Sequence, residues 1–133
     1  MRLYYSHSMM IYGTQKERSE QSFIQHHFPG AEIIDPGAIQ ANPEKARRGM
    51  EYCLDLVETC DALVFTRFEG AITSGVGMEV NHALSKGKRV HELRKQELFE
   101  ITGPVEYLSR EETVKLYQWS HPLRLPLSES ATG

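Results

Sequence analysis

The chain has little of what marks the specialised classes of protein. Its 133 residues include two cysteines and one tryptophan. No stretch approaches the roughly 20 consecutive apolar residues that a membrane-spanning helix requires. The opening residues, MRLYYSHSMM, lack the charged-then-apolar pattern of a signal peptide. These absences argue against a disulfide scaffold and a membrane protein, and they favour the cytoplasm.

The chain also has no excess of positive charge. Fifteen basic against eighteen acidic residues give a net charge of -3, so there is no basic surface to counter a nucleic-acid backbone. A small anionic ligand is still compatible with this balance. The hydrophobic and charged fractions, 40% and 25%, are those of an average globular protein. The length fits one domain, which we place at residues 1–127, followed by a flexible C-terminal tail at 128–133.

Strand and helix patterns alternate along the chain. The predicted strands are residues 2–6, 31–35, 62–66, 89–93 and 105–108; the predicted helices are 15–28, 43–60, 78–85 and 109–119. This alternation predicts an α/β fold: a single-domain Rossmann-like (flavodoxin-like) parallel sheet of four to five strands with helices on both faces. The loops that follow the strands then meet at the carboxyl edge of the sheet, where such folds bind ligands.

The two cysteines lie on the clearest amphipathic pattern of the chain. After Asn42-Pro43, an N-cap followed by proline at the first helical position, apolar residues recur every three or four positions through Cys53 to Cys60. Within one helix the Cα atoms of Cys53 and Cys60 would stand roughly 10 Å apart, too far for a disulfide. We therefore predict two reduced thiols in the core.

The segment from Gly70 to Glu79, GAITSGVGME, is the most informative for chemistry. Its glycines would let the backbone approach a ligand, and N–H groups at the start of a helix favour an anion. With the helix predicted to begin at Met78, its first turn would favour the ionised form of Glu79, as a nucleophilic carboxylate requires. The alternative is that Glu79 only complements the helix dipole and the glycines only turn the chain.

The run SGVGMEVNHALSKGKRV resembles the signature of the nucleoside 2-deoxyribosyltransferase family, which includes the 2'-deoxynucleoside 5'-phosphate N-hydrolases. Gly75, Gly77 and Glu79 stand at the positions of that family's Gly-x-Gly-x-Glu stretch, in which the glutamate attacks the anomeric carbon of deoxyribose. The opening LYYSHS is similar to the family's first strand, where a tyrosine and the small residues after it surround the sugar. The resemblance extends over about the first ninety residues.

The resemblance implies a role for one tyrosine and for two loops. Tyr4 or Tyr5 would orient the nucleophile or the sugar, and strand alternation puts only one of the two on the ligand side. The residues expected to hold the sugar or a 5'-phosphate are Ser6, His7, Ser8, Thr73, Ser74, Gly75 and Gly77. Convergence of their donors favours a phosphate, whereas the alternative is that these hydroxyls satisfy only their own loops.

The sequence departs from the family where a carboxylate serves as proton donor. Cys53 stands at that position, flanked by Glu51 and Asp55, whose spacing is typical of a solvated helix face. The identity of the proton donor is therefore left open. We expect no metal and no cofactor, because Glu79 and His82 have no second ligand pair nearby.

Family active sites are completed by a neighbouring subunit, so a homodimer or higher oligomer is implied. The predicted interface positions are Met78, Val80, Ala83 and Leu84.

Two functions follow from these residues. One is an enzyme that cleaves or transfers at the N-glycosidic bond of a (deoxy)nucleoside or nucleoside 5'-monophosphate through a covalent glycosyl-glutamate intermediate. Water as acceptor would make it a hydrolase and a second base would make it a transferase; the residues leave this open. The other is a non-catalytic nucleotide-binding or sensing domain of the same fold.

Overall fold

The computed structural model describes residues 1–120, which form one five-stranded sheet with helices on both faces. The strands are β1 (Arg2–Ser6), β2 (Glu32–Ile34), β3 (Ala62–Phe65), β4 (Arg89–Arg94) and β5 (Glu97–Ile101). Their order in the sheet is β2-β1-β3-β4-β5; the first four run parallel and β5 runs antiparallel to β4. The predicted α/β class and flavodoxin-like order are confirmed.

The described residues contain five α-helices. They are α1 (Gln15–His27), α2 (Pro43–Arg48), α3 (Met50–Glu58), α4 (Ser74–Ser85) and α5 (Arg110–Ser120), with short 3-10 helices at Met9–Ile11 and Pro36–Ile39. Within residues 1–120, none of them is long and apolar enough to cross a membrane.

Alternation along the central strands builds two separate cores. Tyr4 and Leu63 pack beneath α3 and α4, whereas Tyr5 and Val64 pack beneath α1 on the other face. Strands β1 and β3 are in register, with Tyr4 opposite Leu63 and Tyr5 opposite Val64. Because both faces are covered, these strands read as continuous apolar runs.

The predicted helix over 43–60 is wrong as one element. Gly49 interrupts it with φ 60° and ψ -128°, a backbone conformation that residues with a side chain rarely adopt, so α2 ends at Arg48 and α3 begins at Met50. Cys60 lies beyond the end of α3 rather than within the helix. Both cysteines are nevertheless free and buried, which confirms the predicted core thiols.

The predicted fifth strand is also misplaced. The chain turns at Lys95 and Gln96, both with positive φ, and returns as β5 to form a hairpin with β4. Residues 105–108, predicted as a strand, instead run beside α4. There the backbone of Val105 is held by both ends of the Asn81 side-chain amide, at 2.8 and 3.0 Å.

The other three helix predictions differ in outcome. The helix predicted over 15–28 is confirmed as α1. Helix α4 begins at Ser74 rather than Met78, so Glu79 lies in its second turn and not its first. Helix α5 begins as predicted, with a capping box in which Ser109 and Glu112 bond each other's backbone N–H at 3.0 and 2.9 Å. The predicted tail at 128–133 lies outside the described residues.

Candidate functional site

Glu79 lies buried at the carboxyl edge of the sheet, where α4 passes the end of β1. The Tyr4 hydroxyl donates to its Oε2 atom at 2.7 Å, and the Ser6 hydroxyl donates to its Oε1 atom at 2.6 Å. Tyr4 and Ser6 are two apart on β1 and so share one face. The residue retains 5% of its exposure. Both carboxylate oxygens are thus fixed in direction by β1.

The electrostatic setting of Glu79 differs from the one expected at a helix start. Burial raises the pKa of its carboxyl group, while the hydrogen bonds from Ser6 and Tyr4 and the charges of His7 and Lys45 oppose that rise. The helix-end effect is confined to the first turn, and Glu79 lies in the second. Ionisation therefore depends on the two hydroxyl donors more than on the helix.

Burial likewise raises the pKa of the Tyr4 phenol well above its usual value, and the neighbouring Glu79 carboxylate adds to this. The phenol stays protonated near neutral pH. It can therefore only donate to the carboxylate, and the pair acts as a fixed donor and acceptor.

Cys53 is the third group at this position. Its thiol lies close to Tyr4 and Glu79, and burial followed by the Glu79 charge raises its pKa to about 11. The thiol is therefore protonated at neutral pH. The flanking Glu51 and Asp55 are exposed and pair with Arg48 instead. In this structure the two carboxylates therefore bond Arg48 and not Tyr4 or Glu79.

Tyr5, the other tyrosine of the predicted pair, lies on the opposite face of the sheet. Its hydroxyl donates to Glu20 of α1 at 2.5 Å. Of the two candidate tyrosines, Tyr4 is therefore the one that lies beside Glu79.

His7 is held in a buried polar cluster instead of pointing along the predicted phosphate loop. Its Nδ1–H donates to the Tyr5 carbonyl at 3.0 Å, and its Nε2 lies 2.7 Å from Glu17 and 3.5 Å from Asp35. The ring also stacks on Tyr5 with centroids 3.7 Å apart. Glu17 was not singled out by sequence, because a glutamate in the first turn of a helix is ordinary.

The same cluster supplies the ligand atoms that a metal would need. His7, Glu17 and Asp35 are all buried, and one ligand atom of each lies within 4.8 Å of the others. Direct hydrogen bonding joins these atoms in the structure, since Nε2 contacts Glu17 at bonding distance. The backbone N–H of Gly13 donates to the Glu17 carboxylate at 2.8 Å, and the backbone N–H of Gly37 donates to the Asp35 carboxylate at 2.7 Å.

Helix α5 covers the loop residues predicted to bind a phosphate. The Ser8 hydroxyl is bonded to the Tyr117 hydroxyl at 2.8 Å, whereas the buried Thr73 hydroxyl has no hydrogen-bond partner among the described residues. The N–H of Ser74, at the start of α4, donates to Thr113 Oγ1 at 2.9 Å. Sequence reasoning missed Thr113 and Tyr117; the only signal was their spacing of four along a capped helix.

The two glycines of the predicted signature lie in the first turn of α4, and both are buried. Gly77 is covered by Tyr107, whose ring lies 2.1 Å from the position a Cβ would take. Its lack of a side chain therefore serves the packing of the segment around Tyr107. Gly75 lies two residues before it, at the end of the helix nearer to α5.

A scan against protein-family models found no match to this chain, and searches of curated proteins and of solved structures found none either. The fold and the site geometry therefore define the class: an α/β domain of flavodoxin-like strand order with a buried glutamate at the carboxyl edge of its sheet.

Proposed function

We propose that this protein cleaves or transfers at the N-glycosidic bond of a nucleoside or nucleoside 5'-monophosphate, with Glu79 as nucleophile. The observation that carries the proposal is the pairing of Glu79 with Tyr4 and Ser6 at 2.7 and 2.6 Å, at the edge of the sheet where α/β folds bind ligands. The likeness of SGVGMEVNHALSKGKRV to the nucleoside 2-deoxyribosyltransferase signature supports the same assignment.

In the proposed reaction, one carboxylate oxygen of Glu79 attacks C1' of the sugar as the bond to the base breaks. The electron pair of that bond leaves with the base, which takes up a proton, and a glycosyl ester remains on Glu79. Water or a second base then attacks C1' from the opposite side and releases the carboxylate, so the configuration is retained overall. Tyr4 and Ser6 hold the carboxylate in the direction of attack.

A non-catalytic nucleotide-binding domain is the competing proposal. Cys53 favours it, because a buried thiol stands where the resembled family has the carboxylate that protonates the leaving base. Release of free base separates the two proposals directly, since a binding domain leaves its ligand unchanged.

The test is incubation with the four deoxynucleosides and their 5'-monophosphates, with free base followed by chromatography. An enzyme releases base from at least one of the eight compounds at a rate proportional to protein concentration. A second free base added to the mixture separates a transferase, which forms a new nucleoside, from a hydrolase. Absence of base from every compound, with binding detected by calorimetry, would favour the binding domain.

We also propose that the protein acts as a homodimer or larger assembly in the cytoplasm. Of the predicted interface positions, Val80 and Ala83 lie in the core of their own subunit, whereas Met78 is 37% exposed and available to a partner. Light scattering at micromolar concentration should give at least twice the 15.2 kDa chain mass. A mass of one chain would contradict this expectation.

A further inference from the structure

We propose that helix α5 makes this protein select nucleosides over nucleoside 5'-monophosphates, because its side chains occupy the groups that would bind a 5'-phosphate. The inference rests on the proposed function and narrows its substrate class. The groups in question come from two loops, the one after β1 and the one before α4. Two of them, the Ser74 N–H and the Ser8 hydroxyl, are bonded from within the chain by Thr113 and Tyr117.

The first occupied group is at the start of α4. The N–H groups in the first turn of a helix have no partner within the helix, which is what makes this end attractive to an anion. Here the Ser74 N–H donates to Thr113 Oγ1 at 2.9 Å, and Thr73, the N-cap residue, makes no capping bond with its side chain. The Thr113 hydroxyl therefore takes the place of a phosphate oxygen that would accept from this N–H. The Thr113 residue is fully buried.

The second occupied group is the hydroxyl of Ser8. It accepts from the Met10 N–H at 3.1 Å and bonds the Tyr117 hydroxyl at 2.8 Å. Ser8 and Tyr117 each retain 2% of their exposure or less. The Thr73 hydroxyl is equally buried and has no hydrogen-bond partner among the described residues. Of the hydroxyls predicted to bind a phosphate, Ser8 is therefore the one bonded to Tyr117.

Packing around α5 fixes this arrangement. The Tyr117 ring meets Phe68 edge to face, with centroids 5.5 Å apart, in an apolar cluster that includes Met10 and Ile11. The segment before α5 is fastened by Leu108, whose N–H donates to the Ile72 carbonyl at 2.9 Å. A phosphate would have to displace this packing and break the Ser74–Thr113 and Ser8–Tyr117 hydrogen bonds, which is unfavourable. A 5'-hydroxyl makes no such demand.

The experiment measures binding of the matched deoxynucleosides and 5'-monophosphates by calorimetry. The Glu79→Gln variant prevents turnover during the titration, and base release is assayed separately with the parent. We expect nucleosides to bind at least tenfold more tightly than their monophosphates. Equal binding, or tighter binding of the monophosphate, would overturn the inference.

A second variant tests the role of α5 itself. Replacing Thr113 by Ala and Tyr117 by Ser, in the Glu79→Gln background, frees the Ser74 N–H and removes the ring. The monophosphate should then gain at least tenfold relative to the nucleoside. Gln118→Ala, at an exposed position of the same helix, is the matched control and should leave the ratio unchanged. An unchanged ratio in a folded double variant would overturn the inference.

If the double variant does not fold, Thr113→Ala alone takes its place. The ratio of nucleoside to monophosphate binding, measured in Glu79→Gln without any substitution in α5, then still tests the inference. Binding of nucleosides without release of base by the parent would overturn the proposed glycosidase activity and leave this inference standing. Binding of neither ligand form would overturn both.

Discussion

Two adjacent tyrosines on β1 show how the two faces of the sheet differ. Tyr4 donates to Glu79 at 2.7 Å on one face, and Tyr5 donates to Glu20 at 2.5 Å on the other. The chemical pair is the same, a phenol and a carboxylate. The surroundings differ: Glu79, on α4, is buried beside Cys53 of α3, whereas Glu20 is partly exposed on α1.

The comparison teaches that a hydrogen bond alone does not make a reactive site. On the Tyr4 face, removal from water raises the pKa of Glu79 and leaves its charge to be supported by a few fixed donors. A carboxylate with so little solvation gains more from reaction than one already stabilised by water. The Tyr5 face therefore serves as an internal control for every claim about the Tyr4 face.

The sharpest test replaces each carboxylate by its amide. Glu79→Gln fills nearly the same volume but is a far weaker nucleophile, so base release should fall by about 10³-fold or more. Glu20→Gln, made in the same way on the other face, should keep the parent rate. Similar rates for Glu79→Gln and the parent would remove Glu79 from the chemistry, and equal losses in both variants would erase the difference between the faces.

The two tyrosines give a second and smaller contrast. Tyr4→Phe removes one donor to the Glu79 carboxylate and should slow turnover by about tenfold to 100-fold. Because the Tyr4 hydrogen bond lowers the pKa of Glu79, its loss should also move the acid limb of the pH–rate profile to higher pH. Tyr5→Phe should leave that limb in place. A profile unmoved by Tyr4→Phe would show that this bond does not control ionisation.

The smallest expected effect is on stability. Since the folded-state pKa of Glu79 is raised, its contribution to stability is present at low pH and is lost as the pH rises through that value. Glu79→Gln carries no such penalty. Its unfolding free energy relative to the parent should therefore increase between pH 4 and pH 8.

Urea denaturation at both pH values measures this change, with Glu20→Gln as the control. A difference between Glu79→Gln and the parent that does not vary with pH would argue against a buried, ionisable Glu79.

Much of the fold was predictable because its signals are local. The buried strands β1 and β3 are continuous apolar runs, and the capping box at Ser109 marks the start of α5. The break at Gly49 was missed because the apolar spacing continues across it, while the left-handed backbone of one glycine leaves no periodic trace. The hairpin strand β5 is half exposed, so its pattern was too polar to compete with residues 105–108.

The site divides in the same way. Tyr4, Ser6 and Glu79 could be brought together from strand alternation and from the rule that loops meet at the carboxyl edge. Thr113 and Tyr117 could not, because their contacts depend on how α5 docks and involve uncharged hydroxyls with no distinctive spacing. Gly77 was expected to let the backbone approach a ligand, but the group that packs closely against it is the ring of Tyr107.

The bond between Ser8 and Tyr117 joins residues 109 positions apart in the sequence. Because synthesis proceeds from the N-terminus, a ribosome releases Ser8 well before Tyr117. Until α5 has emerged, the loop after β1 is uncovered and the Ser74 N–H lacks its partner Thr113. The candidate site therefore acquires its final shape only once α5 is made, and a chain terminated before α5 would carry Glu79 in an unfinished site.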